Sequence, residues 1–132
     1  MSKIKAGIIG VGSCAKSLVE GVQYYNENPE DKIGLMYEDI GGYSVHDIEF
    51  VIGFDIDKRK VNKKLARALR AQPNCAMDHV DKITTTSNSS CVDKDAMVYS
   101  APEMDGIAPH MHDYPDEVTF VNGAVPALSL IH

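Results

Sequence analysis

A six-residue run, IKAGII at Ile4–Ile9, meets Gly10-Val11-Gly12-Ser13-Cys14-Ala15 and passes at once into an amphipathic pattern. The short run ending at a glycine reads as a buried strand. Cys14, Ala15, Leu18, Val19, Val22 and Tyr25 then recur at the spacing of one helical face. A strand that turns into a helix so abruptly needs a backbone with little side chain in the way, and G-x-G-x-x-A supplies one. Gly10 permits the turn, Gly12 lets backbone N–H groups approach an anion, and Ala15 lets the helix lie close on the sheet. The helix N-terminus offers unpaired donors and the positive end of the dipole, an arrangement suited to phosphate.

The rest of the chain continues the rhythm. NENPEDK stops the first helix at Pro29, and 34–47 is an excursion with little periodicity that contains Gly41-Gly42. IEFVIGFDID reads as a second strand from Ile48 to about Phe54. A second helix is expected after it, capped by Asp57, with Val61, Leu65, Ala68 and Leu69 inward. Lys58, Lys60, Lys63, Lys64, Arg67 and Arg70 then form its solvated face. KITTT is a weak strand candidate, and AMVYSAP a better one that Pro102 ends. Strand, helix, strand, helix, strand predicts the α/β class: a Rossmann-type parallel sheet with flanking helices. Three or four strands make that sheet incomplete, with an edge or a face uncovered.

The glycine pattern alone also fits a purely structural turn. Asp55 adds to it, because an acidic side chain at the end of the second strand can hydrogen-bond adenosine ribose hydroxyls. Gly10 and Asp55 are 45 positions apart, against the usual spacing of about 20; the excursion has to absorb the difference. A carboxylate there repels a 2′-phosphate, which favours NAD over NADP; Lys58 and Arg59 lie close enough to leave NADP open, although a solvated helical face accounts for them.

With 13 basic and 19 acidic residues and a net charge of −6, the composition argues against a nucleic-acid partner. No apolar run approaches the roughly 20 residues of a membrane helix, and MSKIKAG carries no apolar signal segment. Cys14, Cys75 and Cys91 are an odd, widely spaced set without a CxxC pair, which points to reduced thiols in a cytoplasmic protein. His110 and His112 stand two apart without a cysteine or carboxylate pattern, so no metal is expected. Cys14 is read as a small residue packed against the sheet.

IIGVGSCAKSLVEGVQYY, GLMYEDIGGYSVHDIEFVIGFDID and MDGIAPHM together resemble the N-terminal part of the myo-inositol-1-phosphate (inositol-3-phosphate) synthase family, in its shorter bacterial and archaeal branch. The likeness covers about residues 4–111 and makes the long gap before Asp55 a family feature. It implies an NAD-dependent isomerase acting on glucose 6-phosphate in inositol biosynthesis. The sugar is oxidised at C5, closes by an internal aldol step, and is reduced again without net redox change. It also implies a homo-oligomer, a tetramer in the full-length family. Gly10, Gly12, Ser13, Cys14 and Ala15 carry over to the pyrophosphate loop and Asp55 to the ribose. Ser13 stands where asparagine is common, and Ala101 in SAPEMDG where the family has a glycine. On this reading residues 1–132 are the N-terminal part of an NAD(P)-binding Rossmann domain. The family's catalytic lysines lie in a later α+β domain that is absent, and no catalytic residue is assigned. Two other readings stand beside it: a stand-alone NAD-binding module without catalysis, and a different Rossmann dehydrogenase-like enzyme.

Overall fold

The computed structural model of the chain describes residues 3–102, 113 and 115. His110, His112 and the C-terminal stretch from Glu117 lie outside the described residues.

Strand β1 (Ile4–Ile9) leads through Gly10–Gly12 into helix α1 (Ser13–Glu27). Strand β2 (Ile48–Asp55), the short helix α2 (Leu65–Ala68) and strand β3 (Val98–Ser100) follow. The three strands form one parallel sheet in the order β1-β2-β3. This is the predicted α/β, Rossmann-like architecture. Ala6 pairs with Phe50 but Gly7 with Ile52, so Val51 is an extra residue in β2 that reverses which residues face which side. As a result Ile8, Gly53 and Val98 share the covered face.

That face holds the core. Ile8, Val11, Phe50 and Val98 from the sheet side pack with Ala15, Val19 and Val22 of α1 and with Leu65, Ala68 and Leu69. Gly53 allows the close fit, since a Cβ there would lie 3.0 Å from Leu65 Cδ1 and 3.1 Å from Val11 Cγ2. On the opposite face Ile9 is 88% exposed, and Phe54 and Tyr99 are half-buried against each other with ring centroids 6.2 Å apart. Among the described residues nothing layers over this face, as expected from so few strands.

Several local expectations are corrected. The run Ile4–Ile9 is a strand but not a buried one: among its residues only Ile8 is buried, because one face of the sheet carries no layer of described residues. In α1, Ala15, Val19 and Val22 are buried, but Cys14 and Leu18 are exposed, and Cys14 does not pack on the sheet. Their places inside are taken by Lys16, Glu20 and Gln23. These side chains hold the segment 76–84: Lys16 Nζ donates to Ala76 O and Asp78, Glu20 Oε1 accepts from His79 N, and Gln23 bonds Lys82 O and Thr84 N.

The predicted second helix is reduced to one turn. Asn62 takes φ 65°, its N–H goes to Val98 O, and Leu65 N–H goes to Ala96 O. This antiparallel pairing with 96–98 competes with helix over 57–64. Asp57 consequently does not cap α2, whose N-cap is Lys64; its carboxylate instead takes Arg59 N, Nε and Nη2. Two members of the expected solvated face turn inward: Lys60 is 3% exposed, and Arg70 is half-buried, donating to Glu20, Val80 O and Asp81 O. KITTT forms no strand.

The excursion is irregular, as expected, apart from a 3-10 turn at Val45–Asp47 with a Ser44/Asp47 capping box. Ile40 and Tyr43 exchange both backbone hydrogen bonds around Gly41 (φ 61°) and Gly42 (φ 90°), a two-residue turn that needs left-handed residues at both positions.

Candidate functional site

The junction between β1 and α1 lies at the C-terminal edge of the sheet, where open α/β folds present their ligand sites. Gly10 adopts φ +91°, a conformation that glycine takes without steric cost, and its N–H bonds Phe54 O at 2.8 Å. Gly12 is the N-cap of α1 and brings no capping side chain, and the first helical turn carries no acidic residue. The first-turn N–H groups thus meet no carboxylate from their own helix. An ideal Cβ on Gly10 or on Gly12 would meet no atom within 4 Å, so the space over both glycines is open. Ser13 Oγ accepts from Cys75 N at 3.0 Å, Cys14 faces solvent, and Ala15 is buried under the helix.

The turn is held from both sides. Asp55 Oδ2 accepts from Val11 N at 2.7 Å, and Oδ1 accepts from Ile56 N at 2.7 Å and Asp57 N at 2.9 Å. A carboxylate has about four acceptor positions, so one remains on Asp55. The Val11 carbonyl accepts from Lys60 Nζ at 2.7 Å and from Asn74 Nδ2 at 3.1 Å. Lys60 Nζ also donates to Asn74 Oδ1 at 2.7 Å. Burial pushes the Lys60 ammonium below its ordinary pKa, Asp55 and Asp57 oppose that, and Arg59 adds to it. Beside Asp55 in register stands Ser100, fully buried, whose Oγ has no hydrogen-bond partner among the described residues. Ala101 N continues the ladder to Asp55 O at 3.1 Å.

The structure therefore gathers Gly10, Gly12, Ser13, Cys14, Ala15 and Asp55 at one edge of the sheet. It adds Lys60 and Asn74, which sequence reasoning missed. Nothing in the pattern separates Lys60 from the lysines around it, and Asn74 follows a proline in a stretch without periodicity. Lys63, Lys64, Arg67, Lys82 and Lys94 line a separate open groove of about 810 Å³, to which no glycine-turn residue contributes. Among the described residues no group of three or more His, Cys, Asp or Glu side chains could hold a metal ion, and no helix is long and apolar enough to cross a membrane.

No protein-family model matches the chain. Curated proteins do. The inositol-3-phosphate synthase of Corynebacterium glutamicum is 41% identical over 120 residues, covering 89% of this chain and 31% of that protein. The chain is a relative of the inositol-3-phosphate synthases. That of Mycolicibacterium smegmatis is 38% identical over 113 residues, 84% of this chain and 29% of its own length. The chain thus spans about three-tenths of the synthases it matches. Among solved structures, a myo-inositol-1-phosphate synthase-related protein from Thermotoga maritima superposes with a TM-score of 0.61 at 19% identity, over 93% of this chain and 27% of that one. Ari2 superposes with a TM-score of 0.62 at 24% identity over 78% of this chain and 30% of its own. Both likenesses concern the fold.

Proposed function

We propose that this chain is the dinucleotide-holding part of an inositol-3-phosphate synthase and binds NAD at the turn between β1 and α1. On this reading residues 1–132 belong to the N-terminal part of the Rossmann domain, and isomerisation of glucose 6-phosphate is the work of the whole synthase. The observation that carries the proposal is the pairing of an uncapped helix N-terminus, open over two glycines, with an acidic residue bonded to the loop from the end of β2.

The residues present fit the cofactor. Pyrophosphate at the turn would take the N–H donors of the first helical turn, which itself carries no acidic side chain. Asp55 keeps one acceptor position for a ribose hydroxyl, while its other bonds set the height of the loop over the sheet. A negative group at this place disfavours a 2′-phosphate. NAD, once bound, supplies a hydride acceptor and later a hydride donor for the sugar. The chain's own residues bind and orient it.

Gly12→Val tests the proposal. Gly12 has φ −100° and ψ −166°, an extended geometry that valine accepts, and the space around it is open. The variant is expected to melt close to the parent, yet its side chain fills the approach to the helix N-terminus. Calorimetry should show saturable NAD binding to the parent and none to Gly12→Val. A folded parent that does not bind NAD, or equal binding by both, would overturn the proposal.

A further inference from the structure

Lys60 donates to two neutral acceptors, the Val11 carbonyl and the Asn74 amide oxygen, while being 3% exposed. An ammonium held inside a protein is costly unless its charge is answered. Asp55 and Asp57 lie near enough to answer part of it, and Arg59 works against them. Asp55, however, already accepts three backbone N–H groups, and Asp57 is paired with Arg59. The positive charge therefore sits beneath a glycine turn with its compensation shared. That turn opens onto a helix N-terminus suited to an anion.

The contact also acts through the peptide. The Val11 carbonyl and the Gly12 N–H are two ends of one amide. A cation on the carbonyl fixes the plane of that amide and polarises the N–H as a donor. Asp55 fixes the preceding amide through the Val11 N–H. Asn74 braces the arrangement, since its Nδ2 bonds both Val11 O and Leu69 O.

We propose that Lys60 is a positioning residue for an anionic diphosphate at this turn: with Asn74 it holds the Val11–Gly12 peptide in the binding geometry and supplies positive charge beneath the phosphates. The proposal rests on reading the turn as a dinucleotide site. It makes a distinction that a purely structural lysine would not: ligands with phosphates feel Lys60, and the bare nucleoside does not.

The test uses the full chain with Lys60→Met, which keeps an unbranched stem and removes the charge. NAD is titrated by calorimetry and adenosine by NMR, with a thermal melt of each protein. The expected result is a loss of about tenfold or more in NAD affinity, the scale of a hydrogen bond to a charged group, with adenosine affinity changed by less than about twofold. A second measurement needs no variant: the Lys60 13Cε titration midpoint in the parent should rise when NAD is bound. Asp55, Asp57 and Arg59, the other charged groups around Lys60, are present in both states. NAD and adenosine weakening together, no weakening of NAD, or a midpoint that saturating NAD leaves in place would each overturn the role of Lys60. A folded parent that binds no NAD would overturn the dinucleotide reading as well, so the two failures are distinguishable.

Discussion

Glu20 is the place where one substitution should tell most about how the domain is held together. Its carboxylate is fully buried on α1 and draws on three groups at once, one on α1 and two from the chain that follows α2. Oε1 accepts from His79 N at 2.9 Å and from Arg70 Nη2 at 3.0 Å, and Lys16 Nζ lies 3.6 Å from Oε2. Burial alone would raise its pKa; the His79 N–H, the Arg70 guanidinium and the Lys16 ammonium outweigh burial and hold it below the ordinary glutamate value. Glu20→Gln keeps the shape and one acceptor but removes the charge. A hydrogen bond to a charged group contributes about 1.5–3 kcal/mol, and breaking a buried pair costs about 3–5 kcal/mol. Because glutamine still accepts from His79, the lower range applies, about 1.5–3 kcal/mol. With an unfolding entropy of about 2.1 cal/mol/K per residue, that corresponds to a melting temperature lower by about 5–11 °C at neutral pH. The sign with pH follows from the lowered pKa. The contribution is present above the unfolded-state value and lost as pH falls through the folded-state value. The two melting curves should therefore converge in acid. Circular dichroism melts from neutral to acid pH measure this directly. A neutral-pH difference under about 1 °C, well below the value expected for a charged hydrogen bond, would refute the view that this carboxylate joins α1 to the 76–84 segment.

Two further outcomes are expected. Gly53→Ala places a Cβ 3.0 Å from Leu65 Cδ1 and 3.1 Å from Val11 Cγ2, so it should destabilise the fold by about 1–3 kcal/mol as overpacking does; a urea midpoint equal to the parent's would contradict the close fit of β2 against Leu65. Cys14 and Cys75 are exposed, whereas Cys91 is buried and its thiol is pushed up to about 11, chiefly by burial. A thiol reagent at neutral pH should label two cysteines quickly and the third only on unfolding, and rapid labelling of all three in the native protein would place Cys91 outside the core.

What the sequence made legible was local. β1, the turn and the start of α1 depend on glycines and on a run of apolar residues adjacent in the chain, and they stand where the pattern put them. Ala15, Val19 and Val22 were also readable as an inward face. Lys16, Glu20 and Gln23 were not, because what buries them is a segment about 60 residues onward that has no periodicity of its own. The same holds for α2. Val61, Leu65, Ala68 and Leu69 are buried as helical spacing foretold, yet most of the helix is missing, since Asn62 and Leu65 give their N–H groups to 96–98. Tertiary pairing outweighs local propensity there.

The glycine turn shows the same dependence at the site itself. Glycines that permit a left-handed turn also leave it many other conformations, and a binding loop gains from being fixed beforehand. Here the fixing groups arrive from far along the chain: Asp55 is 44 residues from Val11, Lys60 is 49, and Asn74 is 63, while Cys75 N reaches Ser13 Oγ across 62. Asn74 and Cys75 begin the stretch that Lys16, Glu20 and Gln23 then hold against α1. The loop and the polar side of the helix are therefore braced by one continuous segment. The G-x-G-x-x-A pattern permits the turn, and residues 55–84 set its shape.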